Sequence, residues 1–88
     1  MTTPEITVYT QPGCGPCIGI KRRLDQSGVR YRTVDITASS EAKKPLVELG
    51  YQSTPVTVWI DRTGEQHAWH GLLPELLDQA VADMRGRH

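Results

Sequence analysis

Cys14 and Cys17 are the only cysteines in the chain, and they flank two residues at the point where a β-rich segment meets a helical one. A disulfide between them would close so short a loop that it would restrain the unfolded chain very little. Small secreted scaffolds instead carry several cysteine pairs that are far apart in sequence. The spacing therefore favours redox chemistry or metal binding over a structural crosslink.

Hydrophobic periodicity and turn residues predict seven elements in the order β-α-β-α-β-β-α. Pro45 falls inside the second predicted helix, so that helix is either kinked or begins later than its candidate caps, Ser39 and Ser40, indicate. The first two strands are joined through a helix and should be parallel, whereas the last two should form an antiparallel hairpin. The prediction is one α/β domain over residues 1–88, with a four-stranded mixed sheet flanked by three helices. The strands are predicted at residues 6–9, 31–36, 56–60 and 65–69, and the helices with their caps at 14–28, 39–50 and 73–84.

The charge balance argues against a nucleic-acid binder. The chain carries 10 Lys and Arg residues and 10 Asp and Glu residues, whereas nucleic-acid binders carry a marked basic excess. The run Lys21-Arg22-Arg23 is predicted to be a solvated helix face, with a docking patch beside the cysteines as the alternative.

No apolar stretch approaches the roughly 18 residues that span a bilayer, and residues 1–5 show no secretory signal. We therefore expect a cytoplasmic monomer that binds neither nucleic acid nor membranes.

The helix that follows Cys14 explains how the cysteine pair would react. Free amide hydrogens and the positive end of the dipole stabilise an anion at a helix N-terminus, so the pKa of the Cys14 thiol should lie below its usual value of about 8.5. The Cys14 thiolate would attack a substrate disulfide, and the more shielded Cys17 would then release the reduced substrate. Between them, Gly15 completes the motif, and Pro16 fits the first helical turn and helps to fix the distance between the sulfurs.

A second site element is predicted at Thr54-Pro55, at the start of the third strand. A cis peptide bond there would leave the backbone groups of Thr54 free to pair with an extended substrate, whereas an ordinary trans proline is the alternative. Trp69 is predicted either to pack in the core or to contact a partner. Contact with substrate or partner is predicted for Gln11, Pro12, Thr54, Pro55, Trp69, His70 and Gly71.

Metal binding is the main alternative to redox chemistry. Cys14 and Cys17 together with His67 and His70 offer two sulfurs and two nitrogens, which is a plausible zinc set. Residues three apart on a strand point to opposite faces, however, so convergence on one ion would require a break in the fourth strand. We therefore expect no metal ligands and no bound cofactor beyond the redox-active Cys14–Cys17 disulfide.

The segment from Val8 to Cys17, VYTQPGCGPC, resembles the opening of the glutaredoxin branch of the thioredoxin superfamily. Thr54-Pro55-Val56 resembles the cis-proline segment of the same branch. The resemblance extends over roughly residues 5–84. It implies a thioredoxin-like fold of the minimal glutaredoxin type and a thiol–disulfide oxidoreductase activity carried by Cys14 and Cys17.

Within that branch, the stretch from Trp69 to Pro74 is similar to the Trp-Ser-Gly-Phe-x-Pro segment of NrdH-redoxins. This resemblance implies an electron carrier that thioredoxin reductase reduces and that donates electrons to ribonucleotide reductase or other protein disulfides. Glutaredoxins that use glutathione carry a lysine at the place of Gln11, and the Gly15-Pro16 dipeptide is typical of thioredoxins. The alternatives are a glutathione-dependent glutaredoxin or mycothiol-dependent mycoredoxin, and a zinc or iron–sulfur module.

Overall fold

The computed structural model describes residues 3–86, and its seven elements follow the predicted order. Three helices and four strands form a thioredoxin-like α/β fold, which confirms the predicted class. No helix within the described residues is long and apolar enough to cross a membrane. The elements are β1 Glu5–Thr10, α1 Gly15–Ser27, β2 Arg32–Asp35, α2 Ser40–Glu48, β3 Val56–Ile60, β4 Gln66–His70 and α3 Pro74–Met84.

The four strands form one mixed sheet in the order β2-β1-β3-β4. As predicted, β1 and β2 are parallel, because α1 connects them, and β3 and β4 form an antiparallel hairpin. β1 is also antiparallel to β3, so that Tyr9 pairs with Val56 and Val56 pairs with His70. The end of β1, the start of β3 and the end of β4 therefore meet at one edge of the sheet.

The sheet separates two apolar clusters, because alternate residues of each strand face opposite sides. On one side α1 and α3 pack against β1, β3 and β4, and on the other side α2 covers a smaller cluster. The first cluster contains Ile6, Val8, Ile20, Leu24, Trp59, Trp69, Leu77, Ala80 and Val81. The second contains Ile36, Leu46, Val56 and Val58.

Helix α2 begins at Ser40, where the serines indicate, although Pro45 lies inside it. The alternative of a later start is therefore wrong. The Ser39 side chain caps the helix by accepting a hydrogen bond from Ala42 N at 3.1 Å. Leu46, which follows the proline, is completely buried beneath the sheet. The proline removes one backbone hydrogen bond from the helix, and the Ser39 cap and the burial of Leu46 offset this loss.

Asp83, near the end of α3, connects that helix to the start of the β3–β4 turn. Its carboxylate accepts hydrogen bonds from Trp59 Nε1 at 3.1 Å and from the backbone N and Nε of Arg62 at 3.2 Å each. The Arg62–Asp83 ion pair is largely buried, whereas the Arg23–Asp78 pair between α1 and α3 is exposed. The two pairs allow a buried carboxylate to be compared with an exposed one on the same helix.

We expect Asp83→Ala to lower the free energy of unfolding by about 2–4 kcal/mol, because it leaves the Trp59 indole N–H without its acceptor and the Arg62 guanidinium without its carboxylate partner, with only the backbone carbonyl of residue 83 still accepting. The control Asp78→Ala should have a much smaller effect, since water solvates the partners of an exposed pair. Urea denaturation with an unchanged m-value measures both variants. Equal losses in the two variants would contradict this account of the hydrogen-bond network.

Candidate active site

The predicted site residues come together at the edge of the sheet where β1 ends and β3 begins. Cys14 follows β1 after a short loop, and Thr54-Pro55 directly precedes β3. Gly71 follows β4 at the same edge, and its backbone N donates a hydrogen bond to Pro55 O at 2.8 Å. The structure thus brings together three segments that are up to 57 residues apart in sequence, counted from Cys14 to Gly71.

Cys14 is the N-cap of α1, and it is joined to Cys17 by a disulfide bond. Cys14 Sγ accepts a hydrogen bond from Cys17 N at 3.2 Å, so one free amide of the first turn points at this sulfur. Cys14 is 9% exposed and Cys17 is 2% exposed, so Cys14 is the more accessible residue of the pair. Gly13 has φ +79°, which explains why a glycine turns the chain into the motif.

The electrostatics of this helix end favour a negative charge on Cys14. The positive end of the α1 dipole lies at the sulfur, and Pro16 occupies a first-turn position that needs no amide hydrogen. The first turn contains no acidic residue that would oppose a thiolate. When the disulfide is reduced, the Cys17 amide that now meets Sγ is placed to donate to the Cys14 thiolate.

The Thr54–Pro55 peptide bond is cis, which is the first of the two states considered from the sequence and the one that the family resemblance implies. Pro55 is buried, and its carbonyl oxygen accepts the hydrogen bond from Gly71 N. Within residues 3–86, the backbone N–H and C=O of Thr54 have no hydrogen-bond partner in the chain. These two groups are available to an extended substrate segment lying along the edge of the sheet.

Trp69 packs in the core, which is the first of the two placements considered for it. Its side chain is 5% exposed and lies directly across from Thr57 of β3. Trp69 Nε1 and the hydroxyl of Thr57 are both buried without a hydrogen-bond partner among the described residues. Trp69 supports the site from beneath and does not present an open surface to a partner.

His67 and His70 lie on opposite faces of β4, so the structure does not assemble the zinc set considered from the sequence. His67 stacks on Trp59 with ring centroids 4.3 Å apart, and His70 stacks on Tyr51 at 6.2 Å. His70 is exposed at the site edge, where its Nε2 lies 2.8 Å from Ser53 Oγ.

His67 instead joins Asp61 and Glu65 at the β3–β4 turn, which lies at the far end of β4 from the cysteines. His67 Nε2 is 2.8 Å from Asp61 Oδ2, and Asp61 Oδ1 accepts hydrogen bonds from Thr63 N and Glu65 N. Glu65 therefore belongs to the turn, which is why β4 begins one residue later than predicted. Hydrogen bonds from Thr63, together with the His67 side chain, hold the pKa of Asp61 well below its usual value.

This pKa shift predicts how stability changes with pH. Because the pKa of Asp61 is lower in the folded chain than its ordinary 3.8, its stabilising effect is complete above about pH 5 and is lost as the pH falls below 4. Asp61→Asn should therefore lower stability at pH 7 and should flatten the decline of stability between pH 5 and pH 2. Unfolding midpoints measured across that range test this, and two parallel curves would contradict it.

Four side chains on the rim of the site carry no charge, and three of them are apolar. Gln11 and Pro12 are exposed beside Cys14, and their contact with a substrate or partner stays a prediction. Ile18 of α1 and Leu72 of the β4–α3 loop are 55% and 41% exposed, and sequence analysis did not assign them to the site. A Cβ added at Gly19 would lie 3.4 Å from Leu72 Cδ2, so this loop packs onto α1 close to the cysteines. The available signal was Leu72-Leu73, two apolar residues just before the final helix.

A thioredoxin-like sheet with a Cys-x-x-Cys disulfide at the start of a helix and a cis proline across from it defines a thiol–disulfide oxidoreductase. The glutaredoxin family model matches residues 6–64, and the chain belongs to the glutaredoxin family.

Known proteins resemble the chain over most of its length. It is 51% identical over 82 residues to the Gene 56 protein of Mycobacterium phage D29, covering 92% of this chain and 86% of that protein. It is 26% identical over 75 residues to the glutaredoxin-like protein NrdH of Escherichia coli strain K12, covering 85% of this chain and 86% of that protein. The structure of NrdH-redoxin from Escherichia coli superposes with a TM-score of 0.72 at 24% identity, covering 85% of this chain and 92% of that one.

Proposed function

We propose that the chain is an NrdH-like electron carrier of the cytoplasm, reduced by thioredoxin reductase and donating electrons to ribonucleotide reductase or to other protein disulfides. The observation that carries this proposal is the uncharged and largely apolar rim around Cys14. Glutathione is a charged tripeptide, and each charge-assisted hydrogen bond to it would contribute about 1.5–3 kcal/mol. An apolar rim suits protein partners on both sides of the electron transfer.

Two positions on this rim lack the groups that would hold glutathione. Gln11 stands where a lysine would pair with a carboxylate. Helix α3 begins after Leu73, whose side chain makes no capping hydrogen bond, so no side-chain oxygen is placed there to fix a charged group. Resemblance to NrdH-redoxins in the stretch from Trp69 to Pro74 supports the same assignment.

The transfer is a pair of thiol–disulfide exchanges. The Cys14 thiolate attacks one sulfur of the substrate disulfide, so that a Cys14–substrate bond forms, the substrate S–S bond breaks and the leaving thiolate takes up a proton. Cys17 then loses its proton and attacks Cys14 Sγ, which forms the Cys14–Cys17 disulfide, breaks the Cys14–substrate bond and releases the second substrate thiolate, which also takes up a proton. Two electrons and two protons reach the substrate in total. The reductase returns them to the chain in the same manner.

The oxidised protein is tested with NADPH and thioredoxin reductase, and separately with NADPH, glutathione and glutathione reductase. We expect rapid turnover with the first system and slow turnover with the second. Rapid turnover with glutathione alone would overturn the proposed reductant. In the second half of the test, the reduced protein is offered to a class Ib ribonucleotide reductase, whose failure to turn over would remove that enzyme from the proposed acceptors.

A matched variant tests the physical reason. Gln11→Lys combined with Leu73→Ser restores a cation and a capping hydroxyl at the rim, and should raise glutathione-supported turnover by about tenfold or more. Turnover with thioredoxin reductase serves as the control for an intact dithiol. Unchanged glutathione turnover in this variant would contradict the rim as the cause of selectivity.

A further inference from the structure

We propose that the outer face of α1 extends the substrate site and selects disulfide partners that carry an acidic segment close to the reacting cysteine. We call this surface the α1 strip, defined by Ile18, Lys21 and Arg22. The proposal rests on the proposed function in one respect only, namely that Cys14 exchanges with a protein disulfide.

The α1 strip leads away from the reactive sulfur along one side of the helix. Cys14, Ile18 and Lys21 follow each other at intervals of four and three residues, which places them on the same helical face. At 1.5 Å per residue, Lys21 lies about 10 Å along the axis from Cys14. The strip lines a shallow depression of about 490 Å³ whose wall consists of Ile18, Lys21, Arg22, Asp25, Gln26 and Tyr31.

The charges in this depression are available to a ligand. Within residues 3–86, neither Lys21 nor Arg22 forms an ion pair, whereas the neighbouring Arg23 is bound by Asp78 on α3 at 2.9 Å. Asp25 is the one acidic residue of the depression, and its carboxylate accepts a hydrogen bond from the Tyr31 hydroxyl at 2.6 Å. Two unpaired cations against one acid leave the depression with a net positive charge.

An extended acidic segment of a protein substrate fits these features. Its cysteine reacts at Cys14 and an apolar side chain contacts the exposed Ile18. Carboxylates about three residues from that cysteine reach Lys21 and Arg22, since an extended chain advances about 3.4 Å per residue. The strip then acts on docking and leaves the exchange chemistry unchanged.

The test uses pre-reduced protein in single turnover, so that no reductase takes part. The substrates are two disulfide peptides, one with aspartates about three residues from the reacting cysteine and one with asparagines in their place, together with the neutral disulfide bis(2-hydroxyethyl) disulfide. We expect the aspartate peptide to react roughly threefold to tenfold faster than the asparagine peptide at low salt, with the difference shrinking as salt is added.

Charge-reversal variants assign this preference to the strip. Lys21→Glu combined with Arg22→Glu should abolish or invert the preference. The control, Arg30→Glu combined with Lys43→Glu, makes the same change of net charge at two exposed cations outside the depression and should retain the preference. Asp25→Asn should increase the preference, because it removes the opposing charge and keeps an acceptor for Tyr31.

Each of four results with the peptides would overturn the proposal: equal rates of the two peptides with the wild-type protein, an unchanged preference in the strip variant, an equal loss in the control variant, or competition by a single-stranded oligonucleotide as effective as that of the acidic peptide. The neutral disulfide distinguishes the two proposals. If the wild-type protein does not reduce the neutral disulfide, the proposed dithiol exchange itself fails. If only the strip variant reduces the neutral disulfide more slowly than the wild-type protein, the strip acts on the dithiol and not on docking.

Discussion

Cys14→Ser should reduce disulfide-reductase activity to the uncatalysed background, because a serine hydroxyl at neutral pH does not replace a thiolate as the attacking group. The substitution should preserve the fold. Cys14 is the N-cap of α1, and serine is among the best residues at that position, since its oxygen can accept the Cys17 amide that now reaches the sulfur. The effect is measured as the rate at which the purified variant reduces a neutral disulfide, with the released thiol as the signal.

The serine cap makes this experiment specific to the chemistry of the sulfur. A far-ultraviolet circular dichroism spectrum and a urea midpoint close to those of the reduced wild-type protein would show that α1 is intact. Activity above a few per cent of the wild-type rate would mean that Cys14 is not the nucleophile. In that case Cys17, which is nearly inaccessible, would have to react first.

Cys17→Ser should have the second large effect, which is to stop the reaction at the mixed disulfide. Cys14 can still attack a substrate disulfide, but the serine hydroxyl that replaces the Cys17 thiol cannot displace the bound substrate. The protein should therefore accumulate with one substrate half covalently attached. Intact-protein mass spectrometry detects the added mass, and a reductant removes it.

The double variant Cys14→Ser/Cys17→Ser is the matched control and should gain no mass. The position of the adduct also matters. A peptide map that locates the substrate on residue 14 agrees with the greater exposure of that sulfur. Full turnover in Cys17→Ser without external thiol would show that the second exchange does not depend on Cys17.

Much of the fold was predictable because the signals are local. Alternating apolar residues identify the strands, and the buried positions Cys17, Ile20 and Leu24 recur at helical spacing. Gly28 ends α1 in a left-handed conformation, as expected of a C-terminal glycine. These features depend on residues a few positions apart, so the sequence carries them without knowledge of the tertiary structure.

The features that the sequence left undetermined depend on contacts between distant segments. Trp69 could have been buried or exposed, and the helices that cover its face of the sheet decide that it is buried. The start of β4 depends on the side chain of Asp61, which accepts a hydrogen bond from Glu65 N and so keeps Glu65 in the turn. The hydrogen bond from Gly71 to Pro55 joins two loops that no short-range pattern relates.

The candidate site likewise combines features that are local in the sequence with features that depend on tertiary contacts. The Cys14–Cys17 motif is recognisable from its own residues, whereas the residues at Thr54–Pro55 left cis and trans open and only the family resemblance favoured cis. The exposed apolar side chains of Ile18 and Leu72 belong to the site because the β4–α3 loop packs on α1 beside Gly19, which is a tertiary contact. The selectivity proposed for the protein depends on this rim, which sequence periodicity alone assigns to no function.

The central claim is that the N-terminus of α1 stabilises a thiolate on Cys14. Its most direct test is the pH titration of Cys14 in the Cys17→Ser variant, where a single thiol contributes to the ultraviolet absorbance of the thiolate. The account predicts a Cys14 pKa clearly below the value of about 8.5 of a free cysteine. A pKa at or above that value would contradict it.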